Sequence, residues 1–232
     1  MGLNSLDHVA LWVADRDAIA EFAVVHLGMH VIDRTERFTL VGADARRGKL
    51  TLFDAPGPRE RGALEHVALR VSDLRQALGE LPSGLELERE AGACYFDVAE
   101  GLRLGLVEAP GAVDYDLDHV ALRSRDPGAT AEAWVPLGLE GAEAGPSGAA
   151  RVAVGGAYLE FRDGDPGEPE RPLLNHLGVL VDSADEWKAQ AEDLGIEVAD
   201  VVDAANTYAV FVVGPDGVKL EYVEHKPSFS LT

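Results

Sequence analysis

Polar and apolar positions alternate in a ten-residue phrase that the chain uses four times. It reads LDHVALWVAD at 6–15, LEHVALRVSD at 64–73, LDHVALRSRD at 117–126 and, more loosely, LNHLGVLVDS at 174–183. Alternation with a period of two is the signature of a strand with two unlike faces. In the third copy His119, Ala121 and Arg123 share one face, and Val120 and Leu122 share the other. Helical runs follow, each opened by a residue suited to accept unpaired backbone N–H groups: Asp15, Ser72 or Asp73, Asp126 before Pro127, and Ser183. Gly28, Gly138 and Gly195 supply helix stops. Short β-prone runs separated by Gly, Asp and Pro come next, most clearly at 196–202, 208–213 and 218–223 around the turn Gly214-Pro215-Asp216-Gly217. Each copy therefore predicts strand–helix–strand–strand–strand.

The repeat places one histidine at the third position of every copy: His8, His66, His119 and His176, separated by 58, 53 and 57 residues when the numbers are subtracted in turn. A period in this range means one supersecondary unit used four times. Linkers rich in Pro, Gly or charge fall at 56–62, 109–116 and 164–172. The middle one divides the chain into an N-terminal domain, 1–112, with modules at 5–55 and 63–110, and a C-terminal domain, 113–232, with modules at 116–163 and 173–225.

Composition narrows the partners. The formal charge of −21 opposes binding to phosphate backbones or anionic lipid, so neither nucleic acid nor a membrane is expected. With 47% hydrophobic and 26% charged residues, the chain can bury a normal core. One cysteine, Cys94, excludes an intrachain disulfide and reads as a small core residue. No apolar run approaches a membrane span, and the first residues lack signal-peptide character, which predicts a cytoplasmic protein.

This order of elements, with histidine on the first strand of each unit, resembles the vicinal oxygen chelate superfamily, which includes glyoxalase I, extradiol ring-cleaving dioxygenases and bleomycin-resistance-type proteins. The resemblance implies an α+β fold in which four βαβββ modules pair into two incomplete-barrel domains, each with a cup for metal or ligand. Four fused modules look most like the two-domain extradiol dioxygenases.

In that superfamily the metal is bound by the first-strand histidine and by an acid on a module's last strand. Aligned on their turn glycines, the last strands carry Glu160 in module three and Glu221 in module four; module two has Gly105 at the same place and module one has Thr51. The resemblance therefore implies a metal-free N-terminal domain and a C-terminal metal site of His119, His176 and Glu221. Two His and one carboxylate leave open positions for substrate and O₂. The expected metal is Fe(II), with Mn(II), Zn(II) and Ni(II) as alternatives. The expected reaction is extradiol cleavage of a catechol-type diol, in aromatic catabolism. Glu160 and Tyr208 are the catalytic candidates: Glu160 stands where extradiol enzymes carry their acid–base histidine, and Tyr208 or Asn206 stands in the 203–208 region where a further histidine is expected, while Phe211 replaces their usual tyrosine. His8 and His66 read as vestigial. His26, His30 and His225 have no repeat partners and read as surface or helix-end residues; Trp12, Trp134 and Trp187 read as packing.

Alternatives follow from the same residues. Taken together, His119, Glu160, His176 and Glu221 form a His-Glu-His-Glu set similar to that of glyoxalase I, implying a metal-dependent isomerase or lyase. A non-catalytic protein that sequesters an aromatic antibiotic is a third class. Another module pairing, one with four and two with three, occurs among relatives of hydroquinone-cleaving enzymes. It would gather His8, His176 and Glu221 in one cup and His66, His119 and Glu160 in the other. The oligomeric state is open, a homo-oligomer included.

Overall fold

The structure is a computed structural model and describes residues 2–142, 144–145 and 148–232. All four predicted modules form. The first has β1 (Ser5–Val13), α1 (Arg16–His26), β2 (His30–Arg34), β3 (Phe38–Asp44) and β4 (Arg47–Asp54). The second has β5 (Leu64–Val71), α2 (Leu74–Gly79), β6 (Glu88–Glu90), β7 (Ala93–Asp97) and β8 (Arg103–Glu108). The third has β9 (Asp116–Ser124), α3 (Pro127–Trp134), β10 (Glu140–Ala142), β11 (Ala150–Val154) and β12 (Ala157–Asp163). The fourth has β13 (Leu174–Leu180), α4 (Ala184–Asp193), β14 (Val198–Asp203), β15 (Thr207–Val213) and β16 (Lys219–His225). Helices start where capping chemistry predicts: Asp15, Asp73, Asp126 and Ser183 accept from the backbone N–H three residues on.

The strands form two eight-stranded sheets, ordered β14-β15-β16-β13-β1-β4-β3-β2 and β10-β11-β12-β9-β5-β8-β7-β6. Within each module the first strand runs parallel to the last, and the first strands of two modules meet antiparallel at the sheet centre. This corrects the expected division into halves at 112/113: module one shares its sheet with module four, and module two shares its sheet with module three. The three linkers are of similar length, so none marks a boundary. The first and third instead cross between the sheets side by side, with Glu60 N–H donating to Arg171 O at 2.9 Å and Leu173 N–H to Glu60 O at 2.7 Å. The middle linker is pinned inside the second sheet: Tyr115 N–H donates to Arg70 O, and Asp114 accepts from Ser72 N–H.

Side chains on the faces away from the histidines, among them Val9, Leu11, Val67, Leu69, Val120, Leu122, Leu177 and Val179, are buried in one continuous apolar core with α1, α3 and α4. The other faces line two cups.

Candidate metal centre

A strictly alternating strand cannot aim two successive side chains into the same cup. The first strands do so because each is bulged just before its histidine. Pairing between β1 and β13 slips between Leu6 and His8, leaving Asp7 as the extra residue, and slips again opposite Asn175. Pairing between β5 and β9 slips at Glu65 and at Asp118 in the same way. A bulge re-aims the extra side chain at a modest cost in pairing. Asp7 and His8 thus turn inward together, as do Asp118 and His119.

In the sheet of modules one and four, three donors converge. His8 Nε2 stands 3.0 Å from His176 Nε2, and Glu221 Oε2 lies 2.9 Å from the former and 2.8 Å from the latter. All three residues are buried. Strand register puts Glu221 beside Gly178, two residues past His176, as it puts Thr51 beside Ala10, two past His8. Gly178 is required here, because a Cβ would collide with the His8 ring. Thr51 occupies the fourth place of the cup.

The outer ring nitrogens are anchored. His8 Nδ1–H donates to Asp7 Oδ1 at 2.8 Å and His176 Nδ1–H to Asn175 Oδ1 at 3.1 Å. Carboxylate and amide oxygens only accept, so both imidazoles are held with their Nε2 lone pairs facing the carboxylate. Three acceptors aimed at one point need a cation between them. Donors about 2.0–2.2 Å from one ion and at right angles stand roughly 3 Å apart, which matches the spacing found. The residues fit a divalent metal with open positions beyond the protein ligands. Among the described residues, this is the group of His, Cys, Asp and Glu whose donor atoms cluster tightly enough for an ion.

The electrostatics agree. Burial alone would lower the His8 pKa, but Glu221 and Asp7 outweigh it and raise it to about 9. Burial also opposes charge on Glu221, yet the two imidazoles hold its pKa far below the carboxylate range. The cup binds a proton when nothing else is offered. Asp7 is itself buried and charged, balanced by Lys49 Nζ at 2.8 Å, with His225 Nε2 at 3.4 Å from its other oxygen.

Aromatic side chains wall the cup. Phe211 and Phe53 lie 5.0 and 6.2 Å from the His176 ring, and Trp12 and Phe38 pack on Phe53. A cleft of about 310 Å³ opens beside them, lined by Trp12, Leu174, Asn175, Lys219 and the prolines of the 164–172 linker.

The second cup, of modules two and three, holds His66 and His119 with Nε2 atoms 2.9 Å apart. His119 Nδ1–H donates to Asp118, which also binds Arg70. Glu160 sits at the register position of Glu221 but turns to arginines: Arg151 donates to its Oε2 through Nε at 2.9 Å and Nη2 at 2.5 Å, and Arg162 Nε to its Oε1 at 2.7 Å. Burial would raise the Glu160 pKa; these guanidinium groups hold it below its ordinary value. Burial, reinforced by His119, Arg162 and Arg103, drops His66 to about 2.

The expected residues are therefore divided. His176 and Glu221 meet, His8 takes the place assigned to His119, and His119 and Glu160 lie in the other cup. Tyr208 projects to the helix side, donating to Asp185 at 2.7 Å, away from the donors. His225 does not present its ring to solvent: its side chain is 7% exposed, set against Asp7 and stacked on Phe229. Trp12 is part of the cup wall rather than core packing. Asp7 and Asn175 went unassigned, although position two of the phrase carries an acceptor in every copy, which was the available signal. Glu65, the remaining one, pairs with Arg123 instead.

Residues 5–93 match the profile of the Glyoxalase/Bleomycin resistance protein/Dioxygenase superfamily. That segment carries a domain of this superfamily. Solved structures extend the likeness of fold to the whole chain. A Bacillus subtilis protein proposed to be a dioxygenase superposes with a TM-score of 0.79 at 16% identity, over 98% of this chain and 87% of its own. Glyoxalase I from Zea mays gives 0.75 at 17% identity over 95% and 92%. The cppA protein of Streptococcus pneumoniae gives 0.63 at 15% over 96% and 100%. A comparison with curated proteins finds no match. The whole chain shares the paired-module fold of these structures. No helix among the described residues is long and apolar enough to cross a membrane.

Proposed function

We propose that the chain is a metal-dependent extradiol dioxygenase that cleaves a catechol-type aromatic diol with O₂, using Fe(II) held by His8, His176 and Glu221. The observation that supports this reading most is the donor set itself: two imidazoles and one carboxylate, with Thr51 rather than a second acid in the fourth place. A metal held by such a set would keep positions open for the diol and O₂, and a redox-active ion there would supply the electron transfer that O₂ chemistry needs. The glyoxalase-like reading relied on Glu160 as a fourth donor, and Glu160 is engaged by Arg151 and Arg162 in the other cup.

The protein's own residues divide the remaining work. Asp7 and Asn175 fix the imidazole orientations, so the donors need no reorganisation on binding. Phe53, Phe211 and Trp12 offer a planar ring apolar contact and exclude water. Lys219, on the cup face two residues before Glu221, gives the cleft a positive charge at the side where an ionised diol enters. In the balanced reaction one ring C–C bond beside the diol breaks and both oxygen atoms of O₂ enter the product.

The test is anaerobic reconstitution with Fe(II), followed by a panel of catechols with O₂ uptake and the yellow ring-opened product monitored together. Stoichiometric uptake of O₂ with product supports the reading. Turnover of a thiohemiacetal with Zn(II) or Ni(II) and no O₂ uptake would replace it with the isomerase, and aromatic ligand binding with no bound metal would replace it with the sequestering protein.

A further inference from the structure

The two cups superimpose in register and in ring geometry, yet only one gathers its carboxylate with its histidines. His8 and His176 have ring centroids 5.1 Å apart at 84°; His66 and His119 have centroids 5.1 Å apart at 76°. Glu160 lies beside Ala121 as Glu221 lies beside Gly178. His119 is oriented by Asp118 as His8 is by Asp7. The cups differ in the side chains flanking the glutamate. Opposite Glu221 stands Phe211, and two residues beyond it Val223; opposite Glu160 stands Arg151, and two residues beyond it Arg162. Arg151 is further fixed by lying 4.1 Å over the Tyr158 ring.

We propose that the second cup is a silenced divalent-metal site, in which the guanidinium groups of Arg151 and Arg162 hold the carboxylate that would otherwise complete a His66–His119–Glu160 triad. Two guanidinium groups bring the same double positive charge as the ion. A carboxylate that is only 2% exposed needs such compensation, and either source supplies it. Arginine cannot release its proton at any ordinary pH, so the substitute is permanent. Both positions have a counterpart in the first cup that leaves the glutamate free, and the counterparts name the exchanges: Arg151→Phe and Arg162→Val.

The experiment uses the full chain with Glu221→Ala throughout, which removes the carboxylate of the first cup. Its outcome is thereby separate from what the first cup binds or catalyses. Zn(II) binding is measured by dialysis and metal analysis, and thermal unfolding is followed with and without Zn(II). Glu221→Ala alone is expected to retain no His66-dependent Zn(II). Adding Arg151→Phe and Arg162→Val should yield one equivalent of Zn(II) and a Tm that rises with Zn(II) concentration, since the ion then binds the folded chain. His66→Ala in the same background should abolish both. A cooperatively folded triple variant that binds no Zn(II), or Zn(II) binding that survives His66→Ala, overturns the proposal. Where the triple variant does not melt cooperatively, Glu221→Ala with Arg151→Phe alone decides: weaker binding that still requires His66 upholds the proposal, and its absence overturns it.

Discussion

Asp7→Asn isolates the charge that stands behind the metal-facing histidine. Asp7 is 1% exposed and accepts from His8 Nδ1 and from Lys49 Nζ, each at 2.8 Å. Asparagine keeps the shape and an acceptor oxygen but removes the negative charge, leaving the Lys49 ammonium 4% exposed without its counter-ion. Breaking a buried pair from one side costs about 3–5 kcal/mol, because the partner stays charged and desolvated. The same change loosens the hydrogen bond that fixes the His8 tautomer, which lowers metal affinity about 10–100-fold. The two effects separate in a cycle. Lys49→Met added to Asp7→Asn removes the orphaned charge and is expected to recover about 2 kcal/mol or more, without restoring metal affinity. Urea unfolding of the metal-free variants, followed by circular dichroism, reads the first effect, and competition with a chelating dye reads the second. An Asp7→Asn cost below about 1 kcal/mol, or a Lys49→Met exchange that recovers nothing, would refute the account of Asp7 as the shared counter-ion.

Glu160→Gln is expected to keep the metal and lose stability, since Arg151 and Arg162 then face a neutral group; equilibrium unfolding and metal analysis on the same sample check both. In metal-free protein His8 has a pKa raised to about 9 from 6.5. A raised histidine contributes stability that is full below about pH 6.5 and is lost as pH climbs through 9. Metal-free protein should therefore weaken over that window more than metal-loaded protein, and metal binding at pH 7 should release a proton detectable with an indicator in weak buffer. Tyr208→Phe is expected to leave turnover within about twofold, because the hydroxyl binds Asp185 on the helix side. Phe53→Ala is expected to weaken aromatic ligand binding by about 1–3 kcal/mol while leaving metal content unchanged, measured by calorimetry on the metal-loaded protein.

The modules were legible because the repeated phrase carries both the strand alternation and the helix cap. The last-strand alignment holds too: register places Thr51, Gly105, Glu160 and Glu221 at equivalent points. What the sequence did not disclose was which first strands pair, since β1, β5, β9 and β13 are nearly interchangeable in pattern and the linkers do not differ enough in length to choose. That ambiguity moved His119 out of the expected triad and His8 into it. The bulges at Asp7, Glu65, Asp118 and Asn175 were hidden because period-two reasoning sends adjacent residues to opposite faces. The fate of Glu160 was hidden for a related reason. Arg162 is close in sequence, but Arg151 reaches it only across the β11–β12 pair.

In the function proposed above, the metal ligands come from modules one and four. Metal content of His8→Ala and His119→Ala, each purified after identical reconstitution with Fe(II) under anaerobic conditions, tests it most directly. His8→Ala is expected to lose the metal and His119→Ala to keep one equivalent per chain. Retention in His8→Ala with loss in a folded His119→Ala would contradict it.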